Sequence, residues 1–309
     1  MKANMRVQFA GIELMNPVIA ASGTFGYGVE FEEIVSLRRI GGFVTKGISR
    51  EPMPGNPPPR LIETAAGMIN AIGLQNLGVE RYIAEKLPPM RRYPTCAVIV
   101  NVFGYQVEDY IAVIERLNQA QGIAAYELNA SCPNTRHGGI TFGSSAEMLV
   151  ELVTRAKQAT KRPVIVKLSP NVTSVPAMAQ AAEGAGADAL SLVNTFLALS
   201  IDVETRRSRL ANTTGGLSGP AIKPIAVRMV WEAARAVKIP IIGLGGIATP
   251  EDAVEFILAG ATAVQVGTAS YADPRATERI AQGLEHWCTR HHVSRVADLI
   301  GALDTSPRS

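Results

Sequence analysis

Eight short apolar runs alternate with amphipathic stretches of helix length, and this alternation restricts the possible folds more than any other feature of the chain. Each run is rich in Val, Ile, Leu and Ala, as is typical of strands buried on both faces of a parallel sheet. Eight strands alternating with helices predict an α/β fold of the (β/α)8 TIM barrel type. The predicted strands are Val18–Ala21, Gly42–Lys46, Ala97–Val102, Ala125–Asn129, Val164–Leu168, Ala189–Asn194, Ile241–Gly245 and Ala263–Gly267.

Helix-start signals agree with this order of elements. Thr249 precedes Pro250, which places a capping hydroxyl before a proline at the first helical position. No linker interrupts the alternation, so we expect one barrel domain over residues 1–309, with a short N-terminal strand segment and a C-terminal helical tail. The predicted helices are Phe31–Arg39, Val79–Lys86, Val107–Gln119, Ala146–Thr160, Val175–Gly184, Ile222–Val237, Pro250–Ala259 and Pro274–Trp287.

Two long insertions follow the second and sixth predicted strands. The first is the proline-rich segment Glu51–Arg60, and the second is Ser200–Thr214. Loops that leave the carboxyl ends of barrel strands meet at one mouth, where barrel enzymes place their active sites. Long loops in a compact domain are usually functional, so we interpret both as insertions at that mouth.

Composition excludes several classes of function. The formal net charge is +3, without a long basic run, so nothing indicates nucleic-acid binding. No segment approaches the roughly 18 apolar residues of a membrane-spanning helix, and no signal-peptide pattern is present, so we expect a cytoplasmic protein. The three cysteines, Cys96, Cys132 and Cys288, lack the close spacing of an iron–sulfur site.

The fourth predicted strand ends in the polar loop Leu128–Asn134, which contains Cys132. Proline at position 133 cannot continue a strand, so the chain leaves the sheet there, at the barrel mouth. In this position Cys132 is a candidate acid/base or nucleophile. The alternative is a buried structural cysteine, because free cysteine is among the most buried residue types.

Glycine clusters close the last two strands, at Gly243–Gly246 and Gly267–Thr268, and a third lies at Gly215–Gly219. Glycine lets backbone N–H groups approach an anion, and the loops after strands seven and eight commonly bind phosphate. We therefore predict a phosphate-bearing ligand, against the alternative of plain tight turns. The segment Gly243–Ala248 also matches the dinucleotide-binding fingerprint, but the next strand ends at Gly267–Thr268 without the required acid.

Two lysines, Lys46 and Lys167, end apolar strands, and five asparagines gather at strand ends or mouth loops. Lysine is seldom buried unpaired, so each needs either a barrel carboxylate or a ligand that is or becomes negative. The amides suit a polar, uncharged heterocycle. No metal-ligand spacing and no serine-nucleophile motif is present. The asparagines are Asn70, Asn101, Asn129, Asn134 and Asn194.

Several of these segments, taken in order, resemble the class 1 dihydroorotate dehydrogenases. The resemblance extends from the Asn16–Pro17 segment to about Gly267–Thr268, and implies a (β/α)8 barrel that binds FMN at its mouth. The matching segments are Ala21–Gly23, Thr45–Gly47, Asn70–Asn76, Asn129–Asn134, Val166–Pro170, Gly216–Pro220, Gly245–Gly246 and Gly267–Thr268.

The resemblance also implies roles for individual residues. Cys132 would be the catalytic base that takes a proton from C5 of dihydroorotate, while hydride passes from C6 to FMN. The FMN-binding residues would be Ala21, Ser22, Lys46, Asn101, Asn129, Lys167, Gly219, Gly245, Gly246, Gly267 and Thr268. The substrate-binding residues would be Lys46, Asn70, Ile72, Gly73, Leu74, Asn129, Asn134, Asn194 and Thr195.

The subtype implied is the NAD-linked B type, which acts in pyrimidine (UMP) biosynthesis. The segments Asn70–Asn76, Arg136–Ile140 and Asn212–Pro224 are similar to that type. Its catalytic chains form a homodimer within a heterotetramer, whose second subunit carries FAD and a [2Fe–2S] cluster and passes electrons to NAD⁺. Two alternatives stay open: a related flavin barrel acting on another dihydropyrimidine, and a phosphate-binding barrel lyase or isomerase without flavin.

Overall fold

The computed structural model describes residues 2–130 and 140–306. The proposed catalytic residue Cys132 and the proposed substrate ligand Asn134 lie outside the described residues.

Eight parallel strands close into a barrel in chain order, which confirms the predicted fold. Each strand pairs with the next in the sequence, and the pairing of Val264 with Val18 joins the last strand to the first. The barrel strands are Val18–Ala20, Gly42–Val44, Ala97–Val102, Ala125–Leu128, Val164–Lys167, Ala189–Leu192, Ile241–Leu244 and Ala263–Val266.

Helices surround the barrel at nearly every predicted position. In residues 2–130 and 140–306, none of them is both long enough and apolar enough to cross a membrane. Short 3₁₀ turns lie at Val29–Phe31, Pro220–Ile222 and Val296–Leu299, and a π-helical turn lies at Tyr82–Lys86. The α-helices are Val79–Arg81, Leu87–Met90, Val107–Asn118, Ile140–Ser144, Ala146–Ala159, Val175–Gly184, Lys223–Ala236, Pro250–Leu258, Ala269–Ala272 and Ala276–Arg290.

The predicted helix Phe31–Arg39 is wrong, because only the 3₁₀ turn Val29–Phe31 forms there. The backbone N–H of Ser36 donates to the Glu278 carboxylate at 3.1 Å instead of to a carbonyl one helical turn earlier. Val35 and Leu37 are both buried, a spacing of two that a helix would place on different faces. Contacts with the last helix therefore override the local helical pattern.

A four-stranded antiparallel sheet, called here the cover sheet, forms from the two insertions and their flanking residues. Close backbone packing joins its two halves: a Cβ placed on Gly67 would lie 2.0 Å from the Ser218 carbonyl oxygen. A smaller hairpin, Ile201–Asp202 with Arg207–Ser208, extends the second insertion. The cover-sheet strands, in sheet order, are Phe196–Ala198, Gly215–Ser218, Gly67–Asn70 and Leu61–Thr64.

The two ends of the chain are tied together on the outside of the barrel. An N-terminal hairpin pairs Val7–Phe9 with Ile12–Leu14 and buries Phe9 in the main hydrophobic core. The N–H of Asn4 donates to the Ser294 carbonyl at 2.8 Å, just before the C-terminal turn. The N–H of Val296 donates back to the Asn4 carbonyl at 3.0 Å, so backbone hydrogen bonds join the N-terminal segment to the C-terminal turn.

Candidate active site

A cavity at the carboxyl ends of the barrel strands brings together most of the site residues expected from the sequence. Strand-end residues, the loop after the first insertion and the cover sheet all contribute to its wall. The expected residues that line it are Ala21, Ser22, Lys46, Asn70, Ile72, Gly73, Leu74, Asn129, Lys167, Asn194, Thr195, Gly245, Gly246, Gly267 and Thr268.

Two expected residues lie just behind this lining. Asn101 is fully buried, and its Oδ1 lies 3.1 Å from where a Cβ on Gly47 would be. Gly219 lines the adjoining cavity, and its carbonyl oxygen lies 2.7 Å from where a Cβ on Gly246 would be. Both therefore contact the lining from behind.

The glycines that follow strands seven and eight line the cavity with their backbone. The N–H groups of Gly245, Gly246, Gly267 and Thr268 donate to no other residue in the described ranges. A Cβ on Gly245 would come within 2.8 Å of the Ala226 Cβ, so only glycine fits there. Backbone N–H groups without an acceptor, on glycines that a ligand can approach closely, suit an anion such as phosphate.

The Ile72–Leu74 loop presents a second set of free N–H groups. Gly73 and Leu74 both have positive φ angles, 75° and 57°. Asn56 holds the loop, because its N–H donates to the Ile72 carbonyl at 2.9 Å. None of the three N–H groups donates to another residue within 2–130 or 140–306, so this turn can accept a second anionic group.

Lys46 is a half-buried cation in the wall and has no ion pair among the described residues. Burial lowers the pKa of its ammonium, and the positive charge of Arg60 lowers it further. Arg60 itself is held by the Asn56 carbonyl and by Gln75. A desolvated cation of this kind favours a ligand that carries or acquires negative charge.

Lys167 lies beside the Glu127 carboxylate, with 3.8 Å between Nζ and Oε1. This distance permits attraction between the charges but is too long for a hydrogen bond. The sequence left two partners open for Lys167, a barrel carboxylate or a ligand. The carboxylate is present, but it accepts no hydrogen bond from the Lys167 ammonium. The N–H groups of Lys167 therefore stay available to a ligand in the cavity.

Gln265 lines the cavity and Glu127 lies directly behind it, and neither residue was expected from the sequence. Both side chains are buried inside the barrel, and Gln265 Nε2 donates to Glu127 Oε2 at 2.9 Å. Asn101 and Ser191 also donate to this carboxylate, at 2.7 Å and 2.9 Å. The available signal was a charged or polar residue within an apolar strand, which has to be paired when buried.

Neither cysteine in the described ranges belongs to the cavity. Cys96 and Cys288 are buried in the main core, and burial raises the pKa of the Cys96 thiol to about 12. The same ranges contain no group of three or more His, Cys, Asp or Glu side chains that could hold a metal ion.

Chemically, the cavity lining combines two kinds of group that suit a polar, anionic ligand. Glycine backbone and the Ile72–Leu74 loop contribute N–H groups, and Lys46 contributes a cation. The Asn129 Oδ1 and Gln265 Oε1 atoms are buried and accept no hydrogen bond from the described chain. This arrangement suits a phosphate-bearing cofactor together with a small anionic heterocycle.

Comparison with known proteins assigns the chain to a family. The family model described as Dihydroorotate dehydrogenase matches residues 4–288. A protein of Pelobacter propionicus is 57% identical over 98% of this chain and 100% of its own length. A Geobacter sulfurreducens protein is 54% identical over 98% of this chain and 99% of its own length. Both carry the name dihydroorotate dehydrogenase B (NAD(+)), catalytic subunit.

One relative carries a different electron acceptor in its name. A Solibacter usitatus protein, 58% identical over 98% of this chain and 99% of its own length, is provisionally named dihydroorotate dehydrogenase A (fumarate). Among solved structures, the dihydroorotate dehydrogenase of Eimeria tenella, in complex with ferulenol, matches the fold. Its TM-score is 0.82 at 24% identity, covering 97% of this chain and 88% of that chain. The chain therefore belongs to the dihydroorotate dehydrogenase family.

Proposed function

We propose that the chain oxidises (S)-dihydroorotate to orotate, a step of pyrimidine nucleotide biosynthesis, with FMN bound in the mouth cavity. The observation that carries this proposal is that one cavity combines glycine backbone, polar amide side chains and Lys46, which has no ion pair among the described residues. Membership of the dihydroorotate dehydrogenase family supports the substrate.

The residues present fit FMN. Gly245, Gly246, Gly267 and Thr268 would bind its phosphate through free N–H groups, with Gly219 behind them. The hydroxyl of Thr268 donates to Ser218 Oγ at 2.8 Å, which ties this end of the cavity to the cover sheet. The remaining residues proposed to hold the ring and ribityl chain are Ala21, Ser22, Lys46, Asn101, Asn129 and Lys167.

When bound, FMN supplies the acceptor for the hydride from C6 of the substrate. We assign the general-base role to Cys132, which would take the proton from C5. An unperturbed thiol has a pKa of about 8.5, so the rate should rise with pH unless the site favours the thiolate. The N–H groups of Ile72–Leu74 would receive the substrate carboxylate, and the pyrimidine would be held by Asn70, Asn129, Asn134, Asn194 and Thr195.

We further propose that electrons leave FMN for NAD⁺ through a second subunit carrying FAD and a [2Fe–2S] cluster. The chain would act as a homodimer within a heterotetramer, in the cytoplasm. The segment that leads into the second insertion supports a subunit contact, because Leu197, Leu199, Ile201 and Val203 are all exposed, Val203 by 76%. Alternate apolar residues exposed along one extended segment are typical of an interaction surface.

The first experiment records the visible spectrum of the purified chain anaerobically, before and after dihydroorotate. We expect a flavin spectrum that bleaches with dihydroorotate and not with dihydrouracil. Recovery of colour with NAD⁺ only when the partner subunit is present would support the B type, whereas recovery with fumarate and the chain alone would contradict it. A protein that does not bind FMN would contradict the proposed function as a whole.

Cys132→Ala tests the base. We expect the variant to bind FMN but to reduce it roughly 10²–10⁴-fold more slowly, the usual contribution of a general base. Cys96→Ala, in the main core, is the matched control and should retain the rate. The rate of flavin reduction in both variants is measured by stopped flow. A near wild-type rate in Cys132→Ala would disprove the assignment.

A further inference from the structure

Gln265 carries a buried hydrogen-bond acceptor that nothing in the described chain uses. Its side chain lines the cavity, and the residue is only 1% exposed. Its Oε1 has no partner among residues 2–130 and 140–306. Leaving a buried acceptor unpaired costs free energy, so such an atom in a cavity wall indicates a ligand that donates to it.

The orientation of the Gln265 amide is determined by its neighbour. Nε2 donates to Glu127 Oε2 at 2.9 Å, and an ionised carboxylate can only accept. The other groups around Glu127 are also donors: Asn101 Nδ2, Ser191 Oγ and, at 3.8 Å, the Lys167 ammonium. Each of these groups presents a donor to the Glu127 oxygens, so the nitrogen of Gln265 faces Glu127 and its oxygen does not.

The position of Gln265 along its strand places this acceptor near the anion site. Gln265 lies on the eighth barrel strand, Ala263–Val266, and Gly267 directly follows the end of that strand. Two residues correspond to about 7 Å along a strand, and side chains two apart point to the same face. Gln265 and Gly267 line the same cavity, so a ligand held by the glycine N–H groups would lie within reach of this residue.

We propose that Gln265 is a flavin-binding residue whose Oε1 accepts a hydrogen bond from FMN, and that Glu127 is the positioning residue that orients it. This inference rests on the proposed function. The donor class is an N–H or O–H group. An oxidised flavin offers one ring N–H, at N3, and the ribityl chain offers hydroxyls. The hydrogen bond would be made by one of these.

The test is a binding cycle with the full-length chain freed of flavin. Wild type and Gln265→Met are titrated with FMN, with 3-methyl-FMN and with FMN analogues lacking one ribityl hydroxyl, and flavin fluorescence gives each Kd. We expect Gln265→Met to raise the Kd for FMN about 10- to 100-fold, as for a buried hydrogen-bond partner removed. For the analogue that lacks the relevant donor, the Kd values of the wild type and of Gln265→Met should agree within about twofold.

Gln282→Met is the matched control. Gln282 also donates its amide nitrogen to a buried carboxylate, Glu278 Oε1 at 3.1 Å, but lies on an outer helix. It should bind FMN like wild type. Thermal unfolding of the flavin-free proteins separates the alternatives, because a purely structural Gln265 would lower the unfolding temperature and leave all Kd ratios unchanged.

The Glu127→Gln variant tests whether Glu127 orients the Gln265 amide. It also serves as the test of the inference if Gln265→Met does not fold. A glutamine at position 127 can donate or accept, so the Gln265 amide is no longer fixed. We expect the preference for FMN over the discriminating analogue to fall at least about threefold, while Glu278→Gln retains it. The inference is overturned if Glu127→Gln keeps the wild-type preference for FMN over the discriminating analogue, or if Gln265→Met keeps the wild-type Kd for FMN. In either case, FMN binding by the wild-type protein would still support the proposed function.

Discussion

Two polar clusters meet at consecutive residues of the fourth barrel strand and differ in how completely they are paired. Tyr126 belongs to an outer cluster around Arg162, whereas Glu127 belongs to the inner cluster under the cavity. Arg162 precedes the fifth strand and donates to the Tyr126 hydroxyl at 2.8 Å and to the Ala120 carbonyl at 2.7 Å. Asn118 Oδ1 accepts from Arg162, from Tyr126 and from Thr160.

The outer cluster thus satisfies its members with protein groups. In and beside the inner cluster, by contrast, Asn101 Oδ1, Asn129 Oδ1 and Gln265 Oε1 have no hydrogen-bond partner among residues 2–130 and 140–306. Buried polar groups are normally paired, so an incompletely paired cluster beside a cavity marks the place where a ligand completes it. The comparison separates polar residues that stabilise the barrel from those that bind. It predicts that variants of the outer cluster will lose stability, whereas variants at the cavity will lose ligand binding.

The largest effect on stability is expected from Arg162→Met. The change leaves the Asn118 oxygen and the Ala120 carbonyl without this donor, so the free energy of unfolding should fall by about 3 kcal/mol. Chemical denaturation measures the loss, and flavin titration below the transition should give a wild-type Kd. A large change in flavin affinity in the folded variant would break the proposed separation of roles.

Lys46→Met should show the opposite behaviour. The variant removes a desolvated cation that has no ion pair in the described ranges, so stability should stay equal or rise by up to about 1 kcal/mol. Orotate binding should weaken about 10- to 100-fold because the counter-charge of the ligand is gone. Calorimetry measures both the stability of the variant and its affinity for orotate. A variant that is destabilised but binds orotate like the wild type would contradict the prediction.

The lowered pKa of Lys46 has a defined pH signature. An anion prefers the protonated ammonium, so orotate affinity should be level at low pH and fall, up to tenfold per pH unit, beginning below the ordinary lysine pKa of about 10.4. In the flavin-free protein, stability should rise with pH through that interval, because the unfolded state binds this proton more tightly. Lys46→Met should lack both dependences in matched titrations.

The smallest effect concerns Asp252, a carboxylate near the cavity whose hydrogen bonds are made within the protein. Burial opposes its ionisation, but Lys223 and the N–H groups of Ala248 and Thr249 outweigh burial and hold its pKa below the usual value. Asp252→Asn should cost about 1 kcal/mol at neutral pH. Because the wild-type contribution is lost as pH falls through that lowered pKa, the difference between the two proteins should vanish in acid unfolding curves.

The barrel could be predicted from the sequence because its strands are continuous apolar runs. Ala97–Val102 forms as predicted, and the other strands end one or two residues earlier than expected. The cover sheet could not be predicted in the same way. Its strands are short and partly polar, and their pairing joins residues as distant as Asn70 and Gly216. Such long-range pairing leaves no local periodicity.

Most residues expected at the site line one cavity, but two buried residues at or behind that lining, Gln265 and Glu127, were not expected. Strand-end lysines, asparagines and glycines mark the cavity wall because the fold brings strand ends together. Glu127 and Gln265 occupy the middle of apolar strands, so their role depends on which residues face them across the barrel. The rule applied to Lys167, that a buried charge needs a partner, applies equally to Glu127.

The cover sheet also has a consequence for folding and for ligand entry. Its two halves come from insertions after the second and sixth strands, so we expect their pairing to form later than contacts between residues close in the sequence. Its short strands and few buried residues place it among the segments that open first. Amides of Gly67–Asn70 and Gly215–Ser218 should therefore exchange with deuterium faster than those of the barrel strands, and brief opening of this sheet would give FMN a route into a barrel that stays folded.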